Sequence, residues 1–148
     1  MIHTLLPVFI DSIPRDLEEG RLYVSRKYET AVHKCCCGCG HKVVTPLSPT
    51  YWKLHEQDGK VSLYPSIGNW SFPCRSHYWI VGNQVQWSYA MTQEEIEAGR
   101  RHDARLKDQY FSTGRPEAGA HRSESLSAPE QQKSEQTLWK KFKRWLLG

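Results

Sequence analysis

Apolar and polar positions alternate with a β-strand period through much of the first ninety residues. R-L-Y-V-S sets Leu22 and Val24 on one face. T-A-V-H-K-C is a second strand candidate and H-K-V-V-T-P-L a third. The Gly-containing stretch C-C-G-C-G joins these two as a hairpin turn. In Y-W-K-L-H-E-Q-D-G-K-V-S-L-Y-P, the Asp58-Gly59 pair separates two alternating runs, with Trp52 and Leu54 on one side and Val61 and Leu63 on the other. That is a strong short-range hairpin signal. S-I-G-N-W-S-F-P reads as a loop. C-R-S-H-Y-W-I-V-G-N-Q-V-Q-W-S-Y then reads as a further hairpin turning at Gly82-Asn83. Upstream of these, L-L-P-V-F-I is a short apolar start. S-I-P-R-D-L-E-E-G, with Ser12, Pro14 and the stop Gly20, fits one helical turn or a short turn structure.

The character changes after residue 91. Thr92 followed by Glu95 is a capping-box pattern and opens a charged helix of about fifteen residues, weakened by Gly99. Residues 112–134 hold almost nothing large and apolar, so they are expected to form a disordered linker. From 135 to 148 a helical spacing returns in Leu138, Trp139, Phe142, Trp145 and Leu146, with Lys140, Lys141, Lys143 and Arg144 between them. This basic amphipathic tail helix suits an anionic membrane surface, a partner protein or the chain's own core.

Composition sharpens this picture in two places. The chain of 148 residues carries six Trp and seven Tyr. The rings gather between Tyr51 and Tyr89, so a small core is built from large side chains. The formal net charge is +4, and the last ten residues alone contribute four basic groups and no acidic one. The rest is balanced, a poor footprint for a domain gripping nucleic acid along a broad face, and nucleic acid is not an expected partner. L-L-P-V-F-I is too short and lacks the basic flank of a secretory signal, and no run has the length of a membrane span. A cytoplasmic address is expected, peripheral at the membrane if the tail binds there.

In a reducing compartment, cysteines are read first as ligands or nucleophiles. Cys35, Cys36, Cys37 and Cys39 lie within five positions, flanked by His33 and His41. Gly38 and Gly40 let a turn fold under a metal. Cys74 and His77 form a C-x-x-H pair able to supply two more ligands. Zinc takes four such donors, and six candidates compete for those places. Cys35 and Cys37 face one side of an entering strand, whereas Cys36-x-x-Cys39 has zinc-knuckle spacing, and spacing alone does not choose between these pairs. A catalytic zinc would keep an open position. The deaminase signature H-x-E…P-C-x-x-C fails here, because Phe72-Pro73-Cys74 leads to His77 and His55 is followed directly by Glu56. No H-E-x-x-H occurs. A cysteine nucleophile with His77 as base fits the residue types, but a Cys-rich turn favours metal.

Several separated motifs occur in order: G-R-L-Y-V-S, T-A-V-H-K-C, C-G-C-G, V-S-L-Y-P-S-I-G-N-W and P-C-R-S-H-Y-W-I. Together, over roughly residues 8 to 97, they resemble a bacterial domain family of unknown function with an H-x-C-x-C-G-C-G … C-x-S-H hallmark. The resemblance implies zinc bound by four of Cys35, Cys37, Cys39, Cys74 and His77, with His33 a weaker candidate, and leaves Cys36 at a variable position. It also implies a setting beside bacterial ubiquitin-like conjugation genes, hence protein partners: a conjugation enzyme, a modifier or a target.

The expected fold is small and mainly β, with antiparallel hairpins around a zinc site, a C-terminal helix, a disordered linker and an amphipathic tail helix. The expected organisation is a zinc-binding β-rich domain at 1–97, helix continuation at 98–111, linker at 112–134 and tail helix at 135–148. The expected function is a zinc-stabilised binding or adaptor module serving a ubiquitin-like conjugation pathway, leaning away from enzyme. The alternatives are a zinc-dependent hydrolase or transferase with an open metal position, with His33 or Arg75 serving chemistry, and a nucleic-acid-binding zinc ribbon. Asn69, Trp70 and Phe72 are a candidate contact patch, although core closure over the metal is the preferred reading of the two rings.

Overall fold

The computed structural model describes residues 1–113. The linker and tail helix expected beyond residue 113 lie outside the described residues. Eight strands form two four-stranded sheets. The first holds β1 (Leu6–Phe9), β2 (Arg21–Ser25), β3 (Thr30–Lys34) and β4 (Lys42–Pro46) in that order. The second holds β5 (Lys53–Gln57), β6 (Lys60–Gly68), β7 (His77–Val81) and β8 (Gln84–Trp87) in that order. The helix α1 (Gln93–Ser112) follows.

The three expected hairpins are present, because strict alternation meets turn chemistry in each. Asp58 and Gly59, and likewise Gly82 and Asn83, all have positive φ, as tight two-residue hairpin turns require. One shared cluster lies between the sheets. Leu22, Val24, Ala31 and Val43 come from the first sheet, and Val61, Leu63, Ile67, Tyr78, Ile80 and Val85 from the second. The opposite face of β2 and β3, with Tyr23 and Val32, is covered by Leu17 with Val8, Ile10 and Ile13. The N-terminal residues stitch the sheets together: Ile2 N donates to Cys36 O, Leu5 N to Asn83 O and Leu6 N to Gly20 O.

Two expectations are corrected. The apolar start is a strand, β1, and it pairs parallel to β2, whereas the other pairs among the eight strands are antiparallel. Its partner is fifteen residues away (Leu6 opposite Arg21), so no local turn signal announces it. The loop read from Ser66 onward begins later, because β6 continues through Pro65 to Gly68. Between Leu63, opposite Ile80, and Ile67, opposite Tyr78, its register slips, and the extra residues form a bulge. The segment after Phe9 makes bends and turns where one helical turn or a short turn was expected.

The capping box is formed at α1: Glu95 N donates to Thr92 Oγ1 at 3.3 Å and Thr92 N to Glu95 Oε2 at 2.7 Å. The helix is longer than expected, at 20 residues, and passes Gly99 without a break. Ile96 is its buried residue. Among the described residues no helix is long and apolar enough to cross a membrane.

Candidate functional site

The β3–β4 turn and the loop before β7 meet at one end of the molecule. Alternation along β3 sends Ala31, His33 and Cys35 to the face shared with the second sheet. The chain then turns sharply: Gly38 N donates to Cys35 O at 3.1 Å and Cys35 N to His41 O at 2.8 Å. Gly38 and Gly40 adopt φ of +89° and +78° in this turn. From the other side, Phe72 N donates to Asn69 O and Arg75 N to Phe72 O, curling the loop so that Cys74 reaches the turn.

The result is a group of four thiols. Cys35, Cys37, Cys39 and Cys74 bring their Sγ atoms within 4.8 Å of one another. The Cys35–Cys37, Cys35–Cys74 and Cys39–Cys74 separations are 3.5, 3.9 and 3.8 Å. Four sulfurs each ~2.3 Å from one zinc stand about 3.8 Å apart at tetrahedral angles. The donor set and its spacing fit a metal ion. The surroundings supply hydrogen bonds to sulfur: Cys39 N donates to Cys37 Sγ, and Ser76 Oγ and Asn69 Nδ2 lie 3.1 and 3.7 Å from Cys35 Sγ. His41 Nδ1 lies 3.2 Å from Cys39 Sγ, and its ring stacks on Phe72.

Burial pushes Cys37 up to about 12, with hydrogen bonds exchanged with its neighbouring thiols adding to this. At Cys74 burial raises the thiol, but hydrogen bonds from the Ser76 side chain and backbone and from Cys37 and Cys35 outweigh it and bring it down to about 7. A cation is what would allow all four to be thiolates so close together.

Cys36 is turned the other way, fully buried in the core cluster. Burial pushes it up to about 12, which keeps it a neutral thiol. His33 is also fully buried and stands outside the group. Its Nε2 is 2.8 Å from the Tyr78 hydroxyl, and burial lowers it to about 3, so the ring is neutral. Burial likewise raises Tyr78, followed by the nearby Cys36 and Cys35. Asn69 ties this polar cluster to the metal turn, its Nδ2 lying 2.9 Å from Ser76 Oγ and 3.4 Å from the Tyr78 hydroxyl. Asn69→Ala is expected to lower unfolding free energy by about 1–3 kcal/mol, since it strips a donor from buried acceptors. Denaturant melts read this directly, and an unchanged midpoint would count against the network.

His77 takes a different place from the one its C-x-x-H spacing suggests. Arg75, at φ +45°, turns the chain, so Cys74 points to the thiols while His77 enters β7 opposite Gly68. His77 lies outside the group of four. Its Nδ1 is 3.1 Å from the Tyr89 carbonyl oxygen, and its Nε2 is 2.9 Å from Ser66 Oγ. A carbonyl only accepts, so Nδ1 carries a proton, and in the neutral ring that leaves Nε2 to accept from the Ser66 hydroxyl. This is the geometry of an activated serine: nucleophile, base, and a third group orienting the base. The third group is a main-chain carbonyl, not a carboxylate. The ring is buried between the edges of Trp70 and Tyr89, with centroids 5.0 and 6.1 Å away.

Sequence reasoning missed Ser66. Its signal is faint: Y-P-S-I-G sits where proline and glycine suggest a loop, eleven residues from the histidine it meets. Arg75 is exposed, and Trp70 and Phe72 are both half-buried. Phe72 packs against the core, as the closure reading of the rings expected. Trp70 lies over Gly68, where an added Cβ would stand 2.4 Å from its indole ring. Gly68→Ala is therefore expected to displace Trp70 from His77, at a stability cost of about 1–3 kcal/mol for the overpacking. Indole fluorescence together with a denaturant melt checks this, and unchanged values of both would refute the close packing.

No curated protein and no solved structure matches the chain. A model of the BubE family, described as bacterial ubiquitination-like system serine protease, matches residues 9–88, more than half of the 148-residue chain. That span contains all four clustered cysteines, Ser66 and His77. The chain belongs to the BubE family.

Proposed function

We propose that this protein is a serine peptidase of a ubiquitin-like modification system, with Ser66 as nucleophile and His77 as general base, built around a structural zinc held by Cys35, Cys37, Cys39 and Cys74. The observation that carries it is the 2.9 Å contact between Ser66 Oγ and His77 Nε2, with Nδ1 anchored on Tyr89. The family description names the same class of chemistry. The substrate is the system's modifier, as a precursor or attached to a target.

The residues divide the work as follows. His77 Nε2 takes the Ser66 proton as Oγ bonds to the substrate carbonyl carbon. The scissile C–N bond breaks, and the leaving amine takes that proton from His77. Water then attacks the ester, again giving its proton to His77, which returns it to Ser66. The Tyr89 carbonyl holds the ring in the useful tautomer throughout, and Trp70 shields it from water. Cys35, Cys37, Cys39 and Cys74 would hold the zinc, which would supply cross-linking between the two loops and not chemistry.

The adaptor role expected from the sequence uses the same fold and metal but leaves the Ser66–His77 pair without a task. A fluorophosphonate probe separates the two. It is expected to label the protein once, at Ser66 by peptide mapping, and not to label a His77→Gln variant. A folded protein that resists the probe would favour the adaptor.

A further inference from the structure

The first sheet ends on β4, whose outer edge carries no further strand among the described residues. β3 and β4 pair over five residues without a slip, from Thr30 opposite Pro46 to Lys34 opposite Lys42. Two hydrogen bonds bracket this ladder and fix its phase: Cys35 N donates to His41 O at 2.8 Å, and Leu47 N to Glu29 O at 2.7 Å. Bonded and non-bonded pairs alternate along an antiparallel ladder. The bonded pairs are therefore His33 with Val43 and Ala31 with Thr45. Lys42 and Val44 aim their N–H and C=O away from β3. Pro46 has no N–H to offer, and its carbonyl accepts from Trp52 N at 3.1 Å. The open edge thus consists of the main-chain groups of Lys42 and Val44.

The side chains on this edge have a chemistry of their own. Val43 and Thr45 are buried, whereas Val44 is 49% exposed. On the same outer face, Lys34 and Lys42 stand directly opposite each other in a non-bonded pair, the kind that brings side chains closest. Like charges placed so repel. Neither lysine has an acidic partner: among the described residues the ion pairs belong to Arg21, Arg26 and Arg101. An exposed apolar residue and an uncompensated positive pair therefore lie together on a strand edge with no bulge to twist it away.

We propose that the β4 edge is a docking site for an acidic, extended segment of a partner protein, which adds to the first sheet as an antiparallel strand. The site lies on the other sheet from Ser66 and stands or falls independently of the Ser66–His77 reading. Its geometry sets the occupant's pattern. The residue opposite Val44 is apolar, and the residue two positions later, opposite Lys42, is Asp or Glu. Both share the outer face with their β4 partners, so the carboxylate meets Lys42 and draws it away from Lys34. A second copy of this chain fits poorly. Pairing Lys42 and Val44 with the same two residues of another β4 would gather four lysines on one face. A lysine on a strand edge discourages pairing between like strands. Here the same charge selects an acidic one.

The test titrates the full chain with two blocked peptides, acetyl-Thr-Val-Thr-Glu-Thr-amide and its counterpart with Lys in place of Glu, and follows backbone amide NMR shifts. The Glu peptide is expected to give saturable shifts centred on Lys42 and Val44, and to bind at least about fivefold tighter than the Lys peptide. Val44→Pro removes only an outward N–H, a substitution that an edge strand tolerates. It should weaken the Glu peptide about tenfold and preserve the melt. Lys42→Glu should reverse the preference between the two peptides, and it decides the matter should Val44→Pro fail to fold. Equal binding of both peptides, or a preference that Lys42→Glu leaves unchanged, overturns the acidic partner. Absence of saturable binding, or shifts that avoid Lys42 and Val44, overturns the added strand. A wild-type dimer that Val44→Pro dissolves assigns the edge to a second copy and overturns the proposal.

Discussion

Ser66→Ala is expected to reduce cleavage of the system's modifier by about 10⁴–10⁶-fold while leaving the melting temperature and metal content unchanged. In the proposed mechanism its oxygen bonds to the substrate carbon, and among the described residues no other serine hydroxyl is hydrogen-bonded to His77. Ser76 is the nearest rival by motif, since it lies beside His77 in C-R-S-H. Its Oγ is committed to Cys35 and Asn69, at 3.1 and 2.9 Å, on the metal side of the chain. Ser76→Ala is thus expected to lower stability by about 1 kcal/mol and to leave fluorophosphonate labelling of Ser66 intact. His77→Gln should cost nearly as much activity as Ser66→Ala. The double variant should cost no more than either alone, because the two residues act as one unit. Additive losses would mean that they serve separate steps. Cleavage that survives Ser66→Ala would remove Ser66 from the chemistry.

The sequence made the scaffold legible where local signals suffice. Leu22 and Val24, Trp52 and Leu54, and Val61 and Leu63 alternate without interruption, and Asp58-Gly59 and Gly82-Asn83 close their hairpins. The capping box at Thr92 is equally local. What escaped depends on partners remote in sequence. β1 needs β2 for its hydrogen bonds, and its proline masks it further. The end of β6 contains Pro65 and Gly68, residues that weaken a strand unless a bulge or a close approach uses them, and here both do.

The cysteine turn could be located but not resolved among pairs. Choosing Cys35 and Cys37 over Cys36 needs the path of the turn, because Cys35 and Cys36 are both fully buried in the core and only the turn brings Cys35 beside Cys37, Cys39 and Cys74. His77 is the instructive case. A C-x-x-H spacing permits both side chains to reach one ion, but the positive φ of Arg75 sends Cys74 and His77 to opposite sides of the turn. A spacing rule sees neither that dihedral nor a serine on the neighbouring strand.

If the four thiols hold a structural zinc, removing it is expected to unfold the protein. The thiols join the β3–β4 turn of the first sheet to the loop before β7 in the second, so the ion would cross-link two parts of the chain otherwise tied there by the hydrogen bonds of Ser76 and Asn69 to Cys35. Binding of a structural zinc is worth about 10–16 kcal/mol, as large as the whole stability of a typical domain. Chelation should therefore abolish the cooperative melt, and Cys74→Ser should yield protein that aggregates or fails to bind metal. Cys36→Ser tests the specificity of that result: it changes a neutral buried thiol outside the group, and should keep the metal at a cost of about 1–3 kcal/mol. His77→Gln is the decisive comparison. If His77 is the base of Ser66, this variant keeps one metal per chain and a normal melt but loses labelling by fluorophosphonate. If instead it loses metal and stability as Cys74→Ser does, the imidazole is a ligand and the serine pair falls. Metal content per chain and one thermal melt on these three variants therefore assign the thiols and the histidine together, because a ligand and a base fail in different observables.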